Sequence, residues 1–243
     1  MRDDICLVVD TTSKYSDVWK PYFEMLKKYF PENIKVYVFT DNADGLNYPN
    51  ATPIYYNNND SYRNQFLSCL KQVEEKYMLY NSEDYILYNK VQMDKIDEVI
   101  NVLELEKNYD FVKFIKGPEE TEKFKDYKNL HIINSNSTNF FAQQASIWKT
   151  SSFTKVFEES IPENGRMQQE PMGSEVCRRI GINGLQYFEG TEVKRGIFHW
   201  DSNIYPCIAT AINKGKWNLT EYYELLNPIL NEFNINPTIR GII

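Results

Sequence analysis

No glycine-rich loop follows the first apolar run of this 243-residue chain: Ile5-Cys6-Leu7-Val8-Val9 leads straight into Asp10-Thr11-Thr12-Ser13. A cradle of backbone amides around phosphate, of the kind glycine allows, is therefore missing at that turn. Cysteine is scarce as well: Cys6, Cys69, Cys177 and Cys207 form no CxxC pair and sit among apolar neighbours. They read as buried, reduced thiols rather than a disulfide framework or a zinc site, and imply a reducing, cytoplasmic setting. Basic clusters are missing, Lys27-Lys28 being too small to act as an arm. With a net charge of −7, the chain repels nucleic acid, and none is expected as a partner. No apolar run is long enough to span a bilayer. Met1-Arg2-Asp3-Asp4 opens onto a short apolar segment rather than a secretory leader, so neither a leader nor a transmembrane segment is expected. Internal repeats and clear linkers are also absent.

The residues that are present favour one packed domain over 1–243. Hydrophobic residues at 42% suffice for a buried core of this size. The run at 5–9 reads as a strand buried on both faces. Trp19, Tyr22, Phe23, Leu26, Tyr29 and Phe30 recur at helical spacing and stop at Pro31. Ile34–Thr40 is a second strand and completes a βαβ unit. Further strands are expected at 51–56, 77–80, 85–88, 111–115 and 140–148. Helices are expected at 62–75, 91–105, 153–159, 171–180 and 221–233. Pro171 marks the first turn of its helix, and Gly181 with Gly184 closes it. The polar stretch 117–139 reads as surface, and 162–169 as a loop. Alternation of this kind defines an α/β fold, a mixed, mostly parallel central sheet flanked by helices. Ligands bind such sheets outside the carboxyl ends of the strands. That rule points to Asp10–Ser13, Asp41-Asn42 and Ser82-Glu83-Asp84.

Glu83 and Asp84 lie between two apolar runs, where carboxylates are costly unless paired or bound to a cation. Mg²⁺ and Mn²⁺ prefer such oxygens and keep positions open for phosphate. Taken alone, the pair reads equally as a solvated turn. Arg63 opens a helix, where it can face phosphate or simply solvent. Glu170 precedes a helix, either as a poised carboxylate or as an ordinary helix-start acid. His199 reads as a metal ligand or as a half-buried imidazole. Most of the 18 tyrosines and 14 phenylalanines fall at core spacing; Trp200 is the one ring singled out as a sugar platform.

Tyr77-Met78-Leu79-Tyr80-Asn81-Ser82-Glu83-Asp84-Tyr85-Ile86-Leu87 resembles the segment that carries the DxD-type motif in GT-A glycosyltransferases, with Asp84 at the second acidic position and Ser82 at the first. Val8–Ser13 and Val38–Asp41 resemble that family's first two strands and nucleotide-facing turns. Gln144–Lys149, Glu170–Glu175 and Gly215–Asn218 resemble segments of sugar transferases from bacterial polysaccharide clusters and large DNA viruses. The resemblance implies a GT-A-like (Rossmann-like) fold, with residues 1–116 as the nucleotide-sugar half and 117–243 as the acceptor half. It implies a glycosyltransferase that moves a sugar from a nucleotide-diphosphate donor to a glycan or glycoconjugate acceptor with Mn²⁺ or Mg²⁺. Glu83, Asp84 and His199 would hold the metal, and Thr11, Asp41 and Arg63 the nucleotide. Glu170 would be the base if the transfer inverts the anomeric centre, and would orient the substrate or stabilise charge if it retains. Two rivals remain: a non-catalytic carbohydrate-binding module, favoured by Ser82, and a sugar nucleotidyltransferase, disfavoured by the missing glycine loop.

Overall fold

Every residue of Ile5–Asp10 (β1) is buried, as its unbroken apolar run requires. The computed structural model describes residues 2–161, 166–196 and 198–243, except for the side chains of 166–168. After β1 come α1 (Ser16–Tyr29), β2 (Lys35–Thr40), β3 (Ala51–Tyr55), α2 (Tyr62–Leu70), β4 (Tyr77–Ser82), α3 (Met93–Leu105) and β5 (Phe111–Lys113). Next are β6 (Thr121–Lys123), β7 (Leu130–Ile133), β8 (Ser146–Lys149), α4 (Thr150–Glu159), α5 (Arg166–Ile180) and β9 (Gly184–Tyr187). Two small hairpins follow, β10 (Lys194–Arg195) with β11 (His199–Trp200) and β12 (Ile212–Asn213) with β13 (Lys216–Trp217), then α6 (Leu219–Glu232) and α7 (Pro237–Arg240).

Nine strands form one sheet in the order β3-β2-β1-β4-β8-β5-β9-β7-β6. β1 lies parallel between β2 and β4, β2 is parallel to β3, and β5 is parallel to β9. β8 runs antiparallel between β4 and β5, and β7 antiparallel between β9 and β6. The fold is thus mixed and mostly parallel, as expected. Alternate side chains of β1 feed two cores. Ile5, Leu7 and Val9 pack with α1, α3 and α6, while Cys6 and Val8 pack with α2, α4 and α5. All four cysteines are free and buried, and burial pushes the Cys69 and Cys177 thiols up to about 12. Among the described residues no helix is long and apolar enough to cross a membrane.

Several expected boundaries moved. α2 stops at Leu70 rather than 75, and the stretch 117–139 contains β6 and β7. Residues 85–88 form no strand: a turn at 83–85 is followed by a single bridge from Leu87 to Cys207. In place of the expected 140–148 strand, only Ser146–Lys149 (β8) pairs. α5 begins at Arg166, so 166–169 are helical where a loop was expected, and Pro171 lies inside the helix; residues 162–165 lie outside those described. Tertiary packing overrides the local proline signal here: Gln169 is fully buried, and its Nε2 donates to Ser160 Oγ at 3.0 Å.

Candidate active site

The order of the strands reverses at β1, and its carboxyl end lies beside that of β4, with Asp10 opposite Ser82. The chain turns at once: Tyr85 N donates to Ser82 O at 3.0 Å, and Ala211 N donates to Asp84 O at 2.8 Å. Buried Ser82 donates its Oγ to Asp84 Oδ1 at 2.7 Å. The Ser82 hydroxyl thereby orients the Asp84 carboxylate.

A first cavity of about 490 Å³ opens over these strand ends. Asp10, Thr11, Tyr56, Tyr62, Glu83 and Asp84 line it, with Lys14 and Lys214 as its cations. Lys214 reaches the rim because Lys214 and Gly215 turn the β12–β13 hairpin with positive φ of 49° and 76°. The Lys-Gly dipeptide is its signal in the sequence, whereas the phosphate-facing residue expected there is Arg63. The structure puts Arg63 elsewhere. Its Nε donates to Phe157 O at 2.8 Å and its Nη2 to Glu158 O at 2.7 Å. It serves the open carbonyls at the end of α4 and lines neither this cavity nor the second one.

Thr11 lines the first cavity with its side chain already engaged. Its Oγ1 accepts from Trp19 Nε1 at 2.8 Å and its carbonyl from the Tyr56 hydroxyl at 3.0 Å. Asp41 sits behind the wall. It accepts from Ser13 N and Ser13 Oγ, each at 2.7 Å, from Thr12 Oγ1 at 3.1 Å and from Asn58 Nδ2 at 3.0 Å. It thereby braces Thr12 and Asn58, which do line the cavity. Partial burial pushes the Asp41 carboxyl up, yet the Ser13 and Asn58 hydrogen bonds outweigh it and hold the group well below the usual range. A depressed folded value contributes stability above the unfolded value and loses it as pH falls through the folded one. Wild type should therefore melt above Asp41→Asn at pH 6, and the gap should shrink below about pH 4, near the unfolded value. A gap in melting temperature that is constant between pH 7 and pH 3 would contradict this.

A second cavity of about 750 Å³ adjoins the first and shares Tyr15, Asp84 and Ile212 with it. Lys113, Glu119, Gln143, Glu170 and His199 face it. Glu170 lies five residues into α5, not ahead of the helix as expected. The donor expected from a helix N-terminus comes instead from Gln143, whose backbone N–H donates to Glu170 Oε1 at 2.8 Å. The Gly173-Ser174 pair builds that contact. A Cβ on Gly173 would lie 2.4 Å from the Phe141 ring, so only glycine lets the 138–143 loop close on α5. Ser174 Oγ accepts from Phe141 N at 3.0 Å and donates to Thr138 O at 2.9 Å.

His199 lines the second cavity with Asp84, while Glu83 lines only the first. Burial pushes the His199 imidazole below its ordinary value, although Glu221, Glu119 and Glu170 pull it up. Trp200 lines neither cavity; Lys116 and Lys194 stand over its ring at 5.2 and 4.8 Å. Among the described residues no three His, Cys, Asp or Glu side chains converge as a metal cage would require. The lining of each cavity also crosses the expected boundary at 116: Lys214 reaches the first, and Asp84 and Lys113 reach the second.

One hydrogen-bonded chain joins the two cavities. Gln143 Nε2 donates to the Tyr62 hydroxyl at 2.6 Å, and that hydroxyl donates to Asp10 Oδ2 at 2.9 Å. Since Gln143 also holds Glu170, the second cavity's carboxylate is tied to the end of β1.

No family model and no curated protein matches the chain. Solved structures share its fold. S. aureus TarS, residues 1–349, is similar at a TM-score of 0.51 and 13% identity, over 97% of this chain and 68% of that one. The mannosyltransferase PcManGT from Pyrobaculum calidifontis, in complex with GDP-Man and Mn²⁺, is similar at 0.50 and 9% identity, over 88% and 59%. The bifunctional IspDF from Campylobacter jejuni reaches only 0.47 at 14% identity, over 77% of this chain, which spans 50% of the length of IspDF; that likeness bears no weight. The fold is GT-A-like.

Proposed function

We propose that this chain is a glycosyltransferase that binds a nucleotide-diphosphate sugar in the first cavity and an acceptor hydroxyl in the second. The carrying observation is that two cavities at the carboxyl ends of β1 and β4 share Asp84, one holding the cations Lys14 and Lys214 and the other the carboxylate Glu170. The GT-A-like fold supports the reading, as does the mannosyltransferase's complex with a nucleotide sugar.

In this reading Lys14 and Lys214 sit on the diphosphate, and Tyr15, Tyr56 and Tyr62 supply apolar wall to the nucleoside. The carboxylates fit a hard cation, which takes one or two protein oxygens and fills its other positions from phosphate and water. Asp84 would hold it, with Glu83 beside it in the first cavity; His199, which lines the second cavity, does not converge with the two. When bound, Mn²⁺ or Mg²⁺ would neutralise charge on the diphosphate. Ser82 keeps Asp84 turned for this task, so its presence no longer favours a degenerate module. Glu170 acts as base in an inverting transfer. The acceptor oxygen bonds to the anomeric carbon, the bond from that carbon to the diphosphate oxygen breaks with its electron pair going to the diphosphate, and the hydroxyl proton passes to Glu170.

A melting screen with UDP-, GDP-, TDP- and CMP-sugars, with and without Mn²⁺, tests the reading. At least one diphosphate sugar should raise the midpoint, and more so with Mn²⁺, because a ligand that binds only the folded state stabilises it. No shift with any of them at millimolar concentration would count against it.

A further inference from the structure

The second cavity holds a polar group that the chemistry above does not use. Gln143 is 2% exposed, and its Oε1 has no hydrogen-bond partner. Its orientation follows from its neighbours. The Tyr62 hydroxyl has a single hydrogen, which goes to the Asp10 carboxylate, so the tyrosine oxygen must accept from Gln143 Nε2. The amide therefore cannot be turned over without losing that bond, and Oε1 is left as a dry acceptor. Buried acceptors in folded proteins are almost always satisfied. This one belongs to a residue that lines the cavity and whose backbone holds Glu170.

The charges around it narrow the ligand. Glu119 and Glu170 face the cavity, beside the Asp84 assigned to the metal. Lys113, its buried cation, is already engaged: Nζ lies 3.0 Å from Glu119 Oε1 and also donates to Asn139 O. A carboxylate-lined cavity with its cation internally paired disfavours an anionic guest. It suits a guest that donates hydrogen bonds and carries no negative charge.

We propose that Gln143 Oε1 accepts a hydroxyl hydrogen from an uncharged sugar in the second cavity, and so makes that cavity select neutral over phosphorylated acceptors. This rests on reading the second cavity as the acceptor side. A site built to receive a hydroxyl discriminates strongly, because a guest without one leaves the buried group unpaired.

The test uses the whole chain with methyl glycosides of glucose, galactose, mannose and N-acetylglucosamine, and their 6-phosphates, as probes. Saturation-transfer NMR measures their binding, and calorimetry of UDP and GDP with Mn²⁺ reads the first cavity in the same samples. At least one neutral glycoside should bind, with its 6-phosphate about tenfold weaker or more. Gln143→Met should weaken the neutral probe by about three- to tenfold, the worth of one hydrogen bond, and should change nucleotide affinity by less, since its first-cavity effect runs only through the lost bond to Tyr62. Gln143→Glu keeps an acceptor oxygen and should hold the neutral probe within about threefold of wild type. It serves as the reporter should the Met variant fail to fold. The proposal is overturned if no neutral glycoside binds, if the phosphates bind as tightly, or if the Gln143 variants give the reverse pattern. Nucleotide binding without glycoside binding would sink this inference alone. Glycoside binding without any nucleotide would sink the transferase reading and leave a sugar site.

Discussion

Glu170→Gln should lower sugar transfer by roughly 10²-fold or more while leaving donor affinity almost unchanged, the signature of a lost general base. The substitution is conservative in the setting observed here. A glutamine at 170 keeps an oxygen that can accept from Gln143 N, so the 138–143 loop stays seated on α5. Only the proton acceptor is removed. Glu170 faces the second cavity and not the first, so nucleotide contacts are untouched. Single-turnover rates at saturating donor, with binding measured separately by calorimetry, give the split. Should Glu170→Gln weaken donor binding and spare the rate at saturation, the residue belongs to donor binding and the base lies elsewhere.

The second large effect is expected at Asp84. Asp84→Asn should remove the Mn²⁺-dependent part of nucleoside diphosphate affinity, a loss of tenfold or more, equivalent to about 1.4 kcal/mol. The fold should survive, because Asp84's backbone carbonyl, and not its carboxylate, receives Ala211 N. Ser82→Ala leaves the carboxylate but removes the hydroxyl 2.7 Å from it, and should lose less. Calorimetry with and without Mn²⁺ checks both variants. Metal-dependent affinity that is unchanged in Asp84→Asn would remove this residue from the site.

The frame of the first cavity was legible in the sequence for a physical reason. A strand buried on both faces must be apolar throughout, so β1 announced itself. The rule that ligands sit at the carboxyl ends of parallel strands then points to Asp10, Thr11 and Asp84. Glu170 stands in a segment that resembles one from sugar transferases, but it lies inside α5 rather than ahead of it; a proline at position 171 looks like a helix start. What stayed hidden was long-range. Asp10, Tyr62 and Gln143 touch across 52 and 81 residues of sequence, and no local pattern marks such a pairing. Arg63 shows the opposite failure. A lone arginine at a helix start carries no sign of whether it meets phosphate or the carbonyls at the end of another helix, and here it meets Phe157 and Glu158. Lys214 was readable in principle, since Lys-Gly before an apolar strand is a hairpin turn, but turn chemistry alone does not reveal which cavity the turn overhangs.

Phosphorus NMR of the purified chain with the diphosphate sugar that raises its melting point, Mn²⁺ and a neutral methyl glycoside tests the central claim most directly. The account predicts release of nucleoside diphosphate as the glycoside is extended by one sugar. Release of pyrophosphate from a nucleoside triphosphate and a sugar phosphate, with no diphosphate formed from the nucleotide sugar, would contradict it.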